Sequence, residues 1–171
     1  TVGVVTLGGR VLAKRRILNR MHPSAEQSIE ISSKAIAEMR AELPSETLVA
    51  GIGVAIPGQV RINDGVVRLA PHLNWVEAPF GAKLAQMTGL PVYLDNDASL
   101  GCRAEFNFGA ARGCNDVVYM FAGSGGIGGG AIVNGQQLRG AAGYGGELGH
   151  IRIADSKQSD YSGLAGTVES L

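Results

Sequence analysis

Three short stretches carry the residue types that can do chemistry. Leu94-Asp95-Asn96-Asp97-Ala98 places two carboxylates and an amide between an apolar run and a helical pattern. The carboxyl end of a strand is where α/β sheets bind ligands. An aspartate there can accept the proton of an alcohol attacking a phosphoryl group. The same residues can instead cap the following helix by accepting its unpaired backbone N–H groups. Both uses are compatible if Asn96 or Asp95 caps while Asp97 faces a cleft. Gly146-Glu147-Leu148-Gly149-His150 sets a carboxylate and an imidazole three residues apart, flanked by glycines. An isolated Glu-x-x-His is weak evidence for metal. The pair can also read neighbouring hydroxyls of a polyol, where a wrong epimer leaves buried polar groups unpaired.

The third stretch, AGSGGIGGGAIV from Ala122 to Val133, has six glycines in twelve positions. Gly123-Ser124-Gly125-Gly126-Ile127-Gly128 is a literal G-x-G-x-x-G. A dinucleotide fingerprint needs a helix after that loop, whereas AIV-Asn134-Gly135-QQL reads as a hairpin; a Walker loop needs a following Gly-Lys-Ser/Thr, which is absent. Two readings stay open. The turn can aim successive N–H groups at a phosphate, or the bare residues can serve sheet curvature alone.

The elements that must position these groups follow from apolar spacing and turn residues. TVGVVTL and RVLAKRRIL around Gly8-Gly9 read as a hairpin, with Lys14-Arg15-Arg16 at an exposed strand end. Ser24 with Gln27 is a capping box, and Ile29, Ile36, Met39 and Leu43 continue at helical spacing. LVAGIGVAI reads as a strand covered on both faces, and GQVRINDGVVRLA as a second hairpin. A helix over 79–88 stops at Gly89, PVYLD is a buried strand, and a capped helix runs from the Asp95–Asp97 region to Gly109. DVVYMFA is the strand before the glycine loop. Strands alternating with helices, plus hairpins, predict a mixed α/β sheet.

Composition sets the frame. The chain has 171 residues, long enough for one domain or parts of two, with 15 basic against 15 acidic residues. That balance predicts no nucleic-acid or membrane surface on this segment, and no apolar run approaches a membrane span. Cys102 and Cys114 form neither a C-x-x-C pair nor a disulfide framework, which fits a reducing, cytoplasmic setting.

The order of the three stretches resembles the ROK family of sugar-responsive repressors and sugar kinases. Asp95-Asn96-Asp97-Ala98 followed by GSGGIGGGAIVNGQQLRGAAGYGGELGH is similar to that family's signature region, and the likeness runs back through VVRLAPHLNW and GIGVAIPGQV to the first hairpin. The resemblance implies the actin-like ATPase (ribonuclease H-like) fold, an α/β fold of mixed sheets with flanking helices, present here as a fragment. Residues 1–94 would be part of the small lobe and 95–171 the first part of the larger one. It further implies that Asn96, Asp97, Glu147, His150 and Glu169 contact a sugar or sugar phosphate. Asp97 would be the catalytic base in a kinase, and Gly123, Ser124, Gly125, Gly126 and Gly128 would form the phosphate loop.

Three departures qualify the likeness. TLGGR at 6–10 imitates the family's Asp-x-Gly-Gly-Thr, but its distance to IPG suits the second strand, so the first phosphate strand is expected to precede residue 1. The family's three zinc-binding cysteines correspond to Asp160, Ser162 and Thr167, so no metal is expected and the loop must be held in another way. The motif ends near Leu171, where the rest of the large lobe would follow. The expected function is the sugar-sensing module of a ROK-type transcriptional regulator, supported by VVRLAPHLNW, AGYGGELGH, the lost cysteines and His72 in place of a common kinase asparagine. DNA would be contacted only by a domain outside this chain, and the resemblance implies a homodimer or tetramer. The alternative is a glucokinase-like, ATP- and Mg-dependent sugar kinase, in which these residues by themselves would be inactive.

Overall fold

The computed structural model describes residues 1–17, 23–123 and 126–171. The chain divides into two compact units, Thr1–Asp95 and Asn96–Leu171.

The first unit opens with the antiparallel hairpin β1 (Val2–Val5) and β2 (Val11–Arg15), whose register shifts between Val4 and Val5. Helix α1 (Ala25–Ala41) starts where its capping box predicts: Ser24 Oγ accepts from Gln27 N–H, and the Gln27 side chain accepts from Ser24 N–H. Arg15 ends β2 as expected, and from there it reaches Glu38 and Glu42 of this helix at 2.9 and 2.6 Å. Strand β3 (Ile52–Ile56) pairs with β7 (Val92–Asn96), and β4 (Gln59–Arg61), β5 (Val66–Ala70) and β6 (Trp75–Ala78) form an antiparallel meander. Helix α2 (Phe80–Thr88) ends at Gly89, whose φ of 67° supplies the left-handed stop.

The core of this unit gathers Ile29, Ile56, Val67, Trp75, Phe80, Leu84 and Leu94. Trp75 and Phe80 stack at 5.6 Å, and the indole N–H donates to Pro23 O at 3.0 Å, so the large ring is buried with its one polar group paired. LVAGIGVAI is not a strand covered on both faces: only Ile52–Ile56 is extended, Ile52 and Val54 are half-buried, and Gly53 and Ala55 are exposed. A groove of about 540 Å³ lies in this unit, lined by β1, β3, the Ile36 and Met39 face of α1, and Phe80.

The second unit is built on α3 (Asp97–Phe108) and the antiparallel sheet β8 (Val117–Gly123), β9 (Gly126–Val133) and β10 (Gln136–Gln137), in order β10-β9-β8. Asn134 and Gly135 have φ of 51° and 73°, so the β9–β10 turn is the left-handed pair that Asn-Gly predicts. After it, a single 3-10 turn, Leu148–His150, carries the Glu147–His150 motif. The chain then doubles back: Arg152 bridges Thr167 and Ser159 bridges Ala165, both antiparallel.

Candidate functional site

Each candidate side chain is delivered by a local device. Asn96 ends β7 in an extended conformation, and its Oδ1 accepts from Ser99 N–H at 3.0 Å, capping α3. Asp97 is then the first helical residue, exposed, with Oδ1 accepting from Ala98 N–H at 2.9 Å. A carboxylate is stabilised at this position by the positive end of the helix dipole. Asp95, the other capping candidate, is buried instead.

The described glycines of the loop have a packing explanation. β9 runs from Gly126 to Val133, and Gly123 pairs with Gly126 at the hairpin end. Gly128 and Gly130 face α3, where an added Cβ would lie 2.7 Å from the Cβ of Ala98 and of Cys102 respectively. Gly129 points the other way, and its Cβ would lie 2.6 Å from Gly146 O. Alternate residues of a strand face opposite sides, so three successive glycines let a helix and the Glu147 loop close on both faces. Ser124 and Gly125, the tip of the expected phosphate loop, lie outside the described residues.

Glu147 precedes the 3-10 turn, and His150 ends it with its N–H donating to Glu147 O at 3.2 Å. Glu169 returns from the end of the chain: its N–H donates to Gly149 O at 2.9 Å, and its Oε2 accepts from Ile127 N–H at 3.1 Å. Gly149 is buried against both Ile127 O and the Glu169 carboxylate, which explains a glycine inside Glu-x-Gly-His.

These groups share one electrostatic neighbourhood. Burial pushes the Glu147 carboxyl above its ordinary range; His150 opposes the shift, while Asp97 and Glu169 add to it. His150 Nε2 is 3.9 Å from Glu147 Oε2 and 3.1 Å from the Tyr161 hydroxyl. Tyr161 crosses the His150 ring edge-on at 5.2 Å, and its phenol is pushed up first by burial, then by Glu147, Glu169 and Asp160. Three carboxylates and an imidazole held this way can accept hydrogen bonds from several hydroxyls at once, with an aromatic ring beside them. Tyr161 is the member that sequence reasoning missed. Its position between Asp160 and Ser162 marks it as a spacer in the motif, and only the tertiary structure sets it on His150.

The ROK family model matches residues 1–171. The chain belongs to the ROK family. Among ROK relatives, the xylose repressor of Caldicellulosiruptor bescii is 40% identical over 105 residues, covering 61% of this chain and 26% of that protein. The glucokinase of Thermotoga maritima is 32% identical over 172 residues, covering 100% of this chain and 53% of the enzyme. The crystal structure of a ROK glucokinase from Streptomyces griseus, with glucose and AMPPNP, is 31% identical and superposes with a TM-score of 0.82 over 98% of this chain and 51% of that one. The fold is therefore the actin-like ATPase fold of ROK kinases and regulators, and the chain spans about half or less of the length of these relatives.

The zinc that the family likeness brings with it does not fit the residues present. Asp160, Ser162 and Thr167 supply one carboxylate and two hydroxyls; both hydroxyls donate to Asp160, which also meets His150 Nδ1. Tetrahedral zinc in a structural site takes thiolates and imidazoles. Among the described residues no cluster of histidine, cysteine, aspartate and glutamate is arranged to hold a metal ion, and no helix is long and apolar enough to cross a membrane.

Proposed function

We propose that this chain is the sugar-binding module of a ROK transcriptional regulator, taking a sugar or sugar derivative as effector. Asn96, Asp97, Glu147, His150 and Glu169 are its contacts. The observation that supports this reading is the pairing of Glu147 with His150 at 3.9 Å, with the charges of His150, Asp97 and Glu169 all acting on the Glu147 carboxyl. Sugar hydroxyls donate to the carboxylates, and a buried acceptor left unpaired by the wrong epimer costs about 1–3 kcal/mol, enough to select one stereochemistry. In this reading residues 1–94 belong to the smaller lobe and 95–171 to the larger. The protein acts in the cytoplasm as a dimer or tetramer, and DNA is held by a domain outside these residues. Effector binding moves that domain only by the difference in sugar affinity between the two states.

A kinase is the second reading, favoured by Asp97. The residue stands exposed at the first turn of α3, where a carboxylate can accept the proton of an attacking hydroxyl. ATP and Mg would then be required, and the two relatives named glucokinases support that chemistry.

The full-length protein, screened against pentoses, hexoses and amino sugars by thermal shift and then for ADP release with ATP, separates the two. A sugar that raises the Tm without turnover, and loses its effect in Glu147→Ala, is the expected result. Turnover abolished by Asp97→Ala would establish the kinase. Unchanged sugar affinity in both variants would overturn the site.

A further inference from the structure

In the segment where the family likeness places zinc, a single carboxylate collects the hydrogen bonds of the whole turn. Asp160 Oδ1 accepts from Ser162 N–H at 2.9 Å, Ser162 Oγ at 2.6 Å and Leu164 N–H at 3.1 Å. Its Oδ2 accepts from Thr167 Oγ1 at 2.8 Å and lies 2.9 Å from His150 Nδ1. The side chain is fully buried, with 0% of its surface exposed. An ionised carboxylate has about four lone-pair directions, so this one is saturated with donors. A charge removed from water is tolerated when it is paired and hydrogen-bonded to this extent.

The positions matter as much as the count. Ser162 and Thr167 stand where two of the cysteines would, and both aim their hydroxyls at Asp160 rather than at a common empty centre. The Thr167 hydroxyl also accepts from Ser170 N–H at 3.2 Å, which carries the network to the residue after Glu169. The same carboxylate therefore ties together the 3-10 turn that ends in His150, the 160–164 turn and the segment bearing Glu169.

We infer that Asp160 has taken over the task of a metal: it closes this loop and holds the His150 proton on Nδ1, so that Nε2 is the ring atom presented to the Glu147 and Tyr161 side. An anionic oxygen at 2.9 Å requires a donor, and Nδ1–H is the donor that the imidazole can offer. Asp160 is a positioning residue. Its consequence for sugar binding rests on the function proposed above; the hub itself does not.

The test uses the full-length protein grown with added zinc. Metal content is measured by plasma mass spectrometry, melting is followed with and without EDTA, and the ring nitrogens of His150 are assigned by histidine-selective 15N NMR against His150→Gln. Sub-stoichiometric zinc, no effect of EDTA and a protonated Nδ1 are expected. In Asp160→Asn, Oδ1 keeps the backbone donors while an NH2 replaces Oδ2, so the Nδ1 proton should be lost and affinity for any sugar found should fall about tenfold or more. Thr167→Val, which removes one donor and leaves the carboxylate, should keep the Nδ1 proton and supplies a folded comparison. One chelatable zinc per chain, or a bare Nδ1 in the unmodified protein, would overturn the inference. Failure of every sugar to bind would count against the sugar-binding reading and leave the zinc and tautomer results to decide this one.

Discussion

At the scale of single residues, two carboxyl groups in one unit are shifted in opposite directions. Donors from Ser162, His150, Thr167 and Leu164 hold the Asp160 carboxyl well below its ordinary value near 3.8. A depressed carboxyl contributes stability that is present above the unfolded-state value and is lost as pH falls through the folded one. The protein should thus lose melting temperature as the pH is taken below about 4, and Asp160→Asn should flatten that limb of the profile measured by acid titration of the Tm. Glu147 carries the reverse sign. Its raised carboxyl destabilises the folded state once ionised, so the penalty is absent in acid and appears as pH rises toward neutrality. Glu147→Gln should raise the Tm slightly at pH 7 and not at pH 4, and on the sugar-binding reading proposed above it should also weaken sugar binding. Because the side chain is 42% exposed, the gain in stability will be small. A neutral-pH Tm that falls in the variant would show that the carboxylate is a net stabiliser.

At the scale of elements, the decisive contact is the one between β9 and its two neighbours. Gly128 and Gly130 admit α3, and Gly129 admits the loop that carries Glu147. Gly128→Ala would set a methyl 2.7 Å from the Ala98 Cβ, at the first turn of the helix that begins with Asp97. Overpacking of this kind costs about 1–3 kcal/mol. Denaturant unfolding of the variant should read a loss in that range, and on the proposed reading sugar binding should weaken with it, because the added methyl displaces the turn on which Asn96 and Asp97 stand. Full stability with unchanged binding would show that β9 can yield without moving α3. Near the start of the chain, α1 is held by the reciprocal Ser24–Gln27 cap, and Arg15 ties it to the first hairpin. The exposed ion pairs contribute little, so the buried face through Ile29 and Met39 carries most of the helix's stability.

At the scale of the whole molecule, the chain covers a quarter to a half of the length of the relatives compared. Val118, Met120 and Phe121 on β8 and Ile151 and Ile153 after the 3-10 turn are exposed. If the full-length protein is a repressor, its effector must bind the DNA-free state more tightly than the DNA-bound state by the factor it moves operator affinity. The sugar that gives the largest thermal shift should also release operator DNA in a mobility-shift titration, and Glu147→Ala should bind DNA with normal affinity yet ignore the sugar. Loss of DNA binding itself in that variant would point to a folding defect rather than to sensing.

How far the chain can be read without its structure depends on the range of each effect. The Ser24–Gln27 cap, the Asn134-Gly135 turn, the Gly89 stop and the Asn96 cap are decided within a few residues, and each was legible as a short pattern. The ordered motifs from Asp95 to His150 were enough to identify the family, because their spacing is a property of the chain itself. The one-sided exposure of β3 was not legible, since an apolar run does not say which of its faces will be covered. Nor was the reason for the bare backbone at Gly128 to Gly130, which lies in a helix and a loop brought to opposite faces of one strand. Asp160 takes Ser162 and Leu164 from its own turn, but its partners His150 and Thr167 stand ten and seven residues away, and Ile127, on Glu169, stands 42 residues away. Sequence supplied the donors and acceptors; which of them meet was decided by packing, because a buried carboxylate is stable only where the fold surrounds it with donors.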